Sequence, residues 1–112
     1  METLDTTVLD ELRGLDEDDL RDIVELYFAD VTVQLERLRS SLAQGDADSV
    51  AAAAHRIKGA SLSMGAARVA SLAADTELAG RSGDLSPCGE LIATLERELE
   101  PTRSALAHEL AA

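Results

Sequence analysis

Apolar residues recur along this chain at intervals of three and four, and no stretch alternates strictly between apolar and polar. That period belongs to amphipathic helices rather than strands. Leu4, Val8, Leu9 and Leu12 line one side of a short segment, Leu4 to Leu12, which Arg13-Gly14 ends. So short a helix is marginal alone and is expected to lie across others. Asp16 is placed to cap a long helix, with Glu17, Asp18 and Asp19 in a first turn that favours negative charge. That helix runs to about Ala43, and Leu20, Ile23, Val24, Tyr27, Val31, Leu35, Leu38 and Leu42 form its core stripe, with Phe28 at the edge. In Gln44-Gly45-Asp46, glycine closes one helix and aspartate caps the next. The third helix carries Val50, Ala53, Ala54, Ile57, Ser61 and Met64 on one face and stops near Met64-Gly65. A fourth spans about Ala66 to Arg81, with Val69, Leu72, Ala73, Thr76, Ala79 and Gly80 inward, a small-sided stripe that permits close helix contact. Ser86 as cap and Pro87 at the first helical position open the last helix, whose inward residues are Leu91, Ile92, Leu95, Leu99, Leu106 and Leu110. Pro101 interrupts that stripe without shifting its phase, which predicts a kink and not a split.

Four substantial helices joined by short loops predict an all-α fold: an antiparallel up-down four-helix bundle with a short extra N-terminal helix, one domain over residues 1–112. The composition changes this picture little. Hydrophobic residues make up 46% and aromatic residues 2%, so the core is expected to be aliphatic. The formal charge of −12 argues against nucleic acid and anionic membrane surfaces as partners. No apolar run approaches the roughly 20 residues of a membrane span. Cys88 is the only cysteine, and no CxxC pattern or zinc spacing is present. The acidic N-terminus lacks a secretory signal, and a cytoplasmic monomer is expected.

The candidate chemistry lies on the third helix. At about 100° per residue, His55 points roughly 160° from the core stripe, toward water. Ala51, Ala52, Gly59 and Leu62 surround it on the outer face, and Lys58 lies one turn on, slightly to one side. Glycine in mid-helix costs about 1 kcal/mol relative to alanine, which close approach by a bulky group or partner would justify. An exposed histidine on a convex face has no ligand neighbours for a metal and no cleft for general acid–base work. Ser61 and Ser63 lie on other faces and form no triad with it. Nucleophilic attack on phosphorus remains. A neutral imidazole already has a free lone pair and needs no base. Lys58 is placed to stabilise the product's charge, and Gly59 leaves room for it. A metal and an in-line donor must come from a partner.

On the long helix Leu26 and Val33 fall on the far side, roughly 140–160° from its stripe. They read either as a patch for a partner, or as scattered surface hydrophobes or residues covered by the first helix. Leu78 on the fourth helix also points out. His108 faces outward near a helix C-terminus, without lysine or glycine alongside. Cys88, in a helix's first turn, is placed for a lowered thiol pKa.

The run Ala54-His55-Arg56-Ile57-Lys58-Gly59-Ala60-Ser61, followed by Gly65-Ala66, closely resembles the histidine-containing phosphotransfer (HPt) domain of multistep two-component phosphorelays. Asp19-Leu20 through Phe28, Leu35 and Leu38, the Gln44-Gly45-Asp46 turn and Glu77 also match that family's spacing, so the resemblance covers nearly the whole chain. It implies a helical bundle, a phosphorylatable His55 and support from Lys58 and Gly59. It further implies response-regulator receiver domains and an upstream hybrid histidine kinase as partners, the receiver bringing the aspartate and Mg²⁺. Ala51, Ala52, Leu62, Leu26 and Val33 would then belong to the docking surface. The family relays phosphoryl groups without autonomous kinase activity. Arg56 stands where a small or hydroxyl residue is common, which bears on partner choice or on charge near the phosphate. Thr76 replaces a usual leucine, which bears on packing. The alternative function is a non-catalytic helical adaptor that docks receivers or another protein without taking phosphate.

Overall fold

The computed structural model describes residues 2–111; Met1 and Ala112, the ends of the predicted domain, lie outside the described residues. The described residues form five helices: α1 (Thr6–Leu12), α2 (Glu17–Ala43), α3 (Ala47–Met64), α4 (Ala67–Ser82) and α5 (Cys88–Ala111). Helices α2 to α5 make the antiparallel bundle, each packing on the next in sequence, and α5 closes the ring on α2. Its long axis of 43 Å is set by α2, whose 27 residues span about 40 Å at helical rise.

Local chemistry fixes where the helices begin and end. Asp16 and Asp46 cap α2 and α3, accepting from Asp18 N–H at 3.2 Å and Ser49 N–H at 3.1 Å. Gly65 and Gly83 end α3 and α4 in the left-handed conformation, with φ of 74° and 81°. Two starts differ from expectation. Asp5 caps α1, so Leu4 lies outside the helix yet still packs against the core. In α5 the Pro87 carbonyl accepts the first helical bond, from Leu91 N–H. Ser86 is therefore not the cap; its own N–H donates to Asp84 Oδ1 at 3.1 Å, in a turn before the helix. Helix α5 runs unbroken through Pro101. Backbone bonds from Asp5 N–H to the Gly65 carbonyl and from Arg68 N–H to the Thr3 carbonyl tie the N-terminal segment to the α3–α4 turn.

The α3 stripe is buried residue for residue as the spacing predicts. On α2, Ile23 departs from it and stands 37% exposed. The core also takes in polar groups that a purely apolar pattern does not mark. Tyr27 and Ser61 share a buried hydrogen bond of 2.7 Å across α2 and α3, and burial pushes the Tyr27 phenol up to about 12. Thr76 and Thr102 donate to carbonyls four residues back in their own helices. Cys88 corrects an expectation. Its thiol is fully buried, and burial together with the charge of Asp84 pushes its pKa up, not down.

The α3–α4 seam is the tightest in the bundle, and Gly80 is the reason. A Cβ there would lie 2.7 Å from Ala51 N and 3.0 Å from Ala47 O, both backbone atoms with no freedom to move aside. Gly80→Ala is therefore expected to cost about 1–3 kcal/mol through overpacking, outweighing the gain in helix propensity. Urea and thermal unfolding will read this as a lower midpoint.

Candidate functional site

The tight seam brings side chains of α3 and α4 into register. His55 stands on the outer face of α3 with its side chain 60% exposed. From α4, Glu77 reaches across with its side chain only 5% exposed, and its Oε2 lies 2.9 Å from His55 Nδ1. The other oxygen, Oε1, meets Lys58 Nζ at 2.7 Å, and Arg81, one turn along α4, closes on Oε2. One buried carboxylate is thus held by two cations and an imidazole. The Lys58 hydrogen bond, more than offsetting desolvation, holds the Glu77 carboxyl below the usual glutamate range; His55 and Arg81 add to that.

This geometry sets the histidine tautomer. An ionised carboxylate can only accept, so Nδ1 carries the proton and donates it to Glu77. The lone pair is left on Nε2, which has no protein partner among the described residues. The ring is fixed at the back and open at the front.

The outer face matches the predicted layout. Gly59 meets open space: a Cβ built there touches nothing within 4 Å. Leu62 lies on the same row, 56% exposed, with Ala52 exposed and Ala51 half-buried. Lys58 lies where the spacing puts it, but its ammonium already serves Glu77, leaving two of its three donors. On α2, Leu26 is 69% and Val33 46% exposed, so α1 does not cover them. Tyr27 sits opposite Ser61, and Gln34 opposite Arg56, which brings Val33 level with His55 and Leu26 level with Leu62. The patch and the histidine row therefore run side by side. Leu78 is exposed on α4, and His108 in the last turn of α5. Among the described residues no group of three or more His, Cys, Asp or Glu side chains is gathered as a metal site would require.

Glu77 and Arg81 were not read from residue pattern as site residues. The signal was present: Glu77 lies four after Ala73 and three before Gly80, an acid on the buried stripe of α4. A carboxylate in that position needs partners.

The fold and site define a class: a helical bundle that presents a solvent-facing histidine on one helix, backed by a buried carboxylate from the next. A family profile described as Hpt domain matches residues 22–110. The crystal structure of histidine-containing phosphotransfer protein B (HptB) from Pseudomonas aeruginosa PAO1 superposes with a TM-score of 0.89 at 31% identity, covering 97% of this chain and 95% of that one. No curated protein sequence matches. The chain belongs to the Hpt family, the histidine phosphotransfer domains of two-component systems.

Because the Glu77 carboxyl is held below its ordinary value of 4.5, its stabilisation is fully present above that pH and fades as pH falls through the folded value. Glu77→Gln is expected to lose on the order of 1–2 kcal/mol at neutral pH. In urea titrations that gap should narrow steadily below pH 4.5; a gap that stays constant into acid would contradict the assignment.

Proposed function

We propose that His55 is the phosphoryl acceptor and donor of this chain, taking the group from a receiver-domain aspartate or a sensor kinase and passing it to another receiver. The observation that carries this reading is the free Nε2 of an exposed ring whose Nδ1–H is committed to Glu77.

In the transfer, Nε2 forms a bond to phosphorus while the bond from phosphorus to the aspartyl oxygen breaks, and the carboxylate leaves with its electron pair. No proton has to depart, because Nε2 carries none. The ring acquires positive charge as the N–P bond forms, and the Glu77 carboxylate beside Nδ1 stabilises that charge. A Mg²⁺ ion in the partner receiver would neutralise charge on the phosphoryl oxygens. Lys58 offers its remaining donors to the phosphoryl group, and the gap above Gly59 admits both that group and the donor protein. Ala51, Ala52, Leu62, Leu26 and Val33 supply the docking surface. The chain acts as a carrier without kinase activity of its own.

Incubation with a receiver phosphorylated by a small-molecule donor, with Mg²⁺ present, tests the reading. The wild-type chain should acquire acid-labile, base-stable phosphate and His55→Gln none. Receiver binding by both, with phosphate on neither, would instead support the adaptor. Gly59→Val should fold as stably as the wild type, since its side chain enters empty space. Transfer should fall at least tenfold as that side chain intrudes on the donor's approach, roughly the effect of a small misplacement at a reacting centre. Single-turnover transfer rates check this, with thermal melts as the control for folding.

A further inference from the structure

A second group of cations lies on the α2 side of His55, away from Glu77. Arg37 of α2 and Arg56 of α3 flank a cleft of about 320 Å³ lined also by Gln34, Ser40, Ser49 and Ala52. Gln34 forms its floor and is 1% exposed. With its amide oriented by the donors around it, its oxygen accepts from Arg56 Nε and Arg37 Nη1, each at 3.2 Å. Neither arginine pairs with a carboxylate among the described residues, although acids outnumber bases 22 to 10 in this chain. Arg13, Arg21, Arg39, Arg68 and Arg81 all do, while Arg97 and Arg103 turn instead to the Thr94 hydroxyl and the Phe28 ring. Two guanidiniums are thus aimed by a buried amide at the same cleft, with most of their ten N–H donors unspent.

The cleft adjoins the histidine face. Arg56 follows His55 directly, and Ala52 lies one turn before it. Around α2, Arg37 stands within about 40° of Val33 and about 20° of Leu26, on the same exposed side. Arg37, Arg56, Lys58 and Arg81 are four of the chain's ten basic residues, and they bracket His55 from both flanks. Lys58 and Arg81 are paired with Glu77, whereas Arg37 and Arg56 keep their charge unpaired beside this face of a chain of charge −12.

Resting on the assignment of His55 as the phosphoryl site, we propose that the Arg37–Arg56 cleft receives a carboxylate side chain of the docked receiver domain. The forked guanidiniums suit a planar carboxylate. Anchored there, the receiver is registered both along and around α3, so that its phosphoryl group meets Nε2. The cleft is a positioning element and takes no part in the bond changes.

The test measures binding of the full chain to a panel of purified receiver domains by fluorescence anisotropy, from low to high salt. For a receiver that binds the wild type, the Arg37→Gln/Arg56→Gln double variant should bind about tenfold more weakly at low salt and show a flatter salt dependence. The Arg37→Lys/Arg56→Lys variant should recover the salt dependence and part of the affinity. Thermal melts confirm that each variant is folded. Equal affinity and equal salt dependence for the wild type and the glutamine double variant would overturn the cleft's role and leave His55 phosphotransfer standing. A wild-type chain that binds no receiver overturns both. Saturation of the cleft by inorganic phosphate alone, seen as shifts of the two arginine Nε–H resonances, would make it a small-anion site and overturn its assignment to a protein carboxylate.

Discussion

The Glu77 carboxylate, sealed into the seam between α3 and α4, is the interaction on which the outer chemistry depends. A lone buried anion would be costly, and here Lys58 and Arg81 offset that cost. Once ionised it can accept further hydrogen bonds, and the imidazole of His55 supplies one. The tautomer of His55 follows from the electrostatics of a group below the surface. Helix spacing brings this about: Gly80 lets α4 lie against the backbone of α3 at Ala47 and Ala51, two turns and one turn N-terminal to His55.

The two flanks of the histidine are built differently. Toward α4, cations are neutralised by a buried acid, giving a rigid and tuned environment. Toward α2, two arginines share only a neutral amide and keep their charge for the outside. Between them runs a row of small or exposed apolar residues, Ala52, Gly59 and Leu62 on α3, with Leu26 and Val33 level with it on α2. In the proposed reading, a receiver settling here would find apolar surface to cover and two unpaired guanidiniums beside it. Such an arrangement favours orientation over raw affinity, which suits a carrier that must release each partner.

Much of this was legible in the sequence because helical periodicity is a strong signal. The α3 stripe and the outward aim of His55 follow from counting residues at 100° each, and Asp16, Asp46, Gly65 and Gly83 mark helix ends through local backbone chemistry. The motif around His55 and Glu77 carried the family resemblance. What escaped were relations between helices. That Glu77 accepts from His55 depends on the separation and register of α3 and α4, which no single helix encodes. Gln34 lies on the α2 stripe, seven after Tyr27 and three after Val31, but its donors, Arg37 and Arg56, emerge only when α2 and α3 are set side by side. Cys88 was misread because a first-turn position says nothing of depth; its thiol is enclosed, and desolvation dominates. Phase puts Ile23 only at the edge of the α2 stripe, about 80° around the helix from Val31, and there it stands partly exposed while Leu20, nearer the helix start, is buried.

Two helical glycines occupy neighbouring helices for opposite reasons. At Gly80 the missing methyl is a contact distance; at Gly59 it leaves open space, which under the proposed function is an approach path. Variation at the first position would be removed through the cell's disposal of unfolded chains, and at the second only through silence in signalling. A mutational survey scored by cellular abundance would therefore rank Gly59 among the tolerant positions, and a survey scored by a signalling reporter would place it beside His55. The difference between those two maps, residue by residue, would outline the contact face of the protein without any structure of a complex.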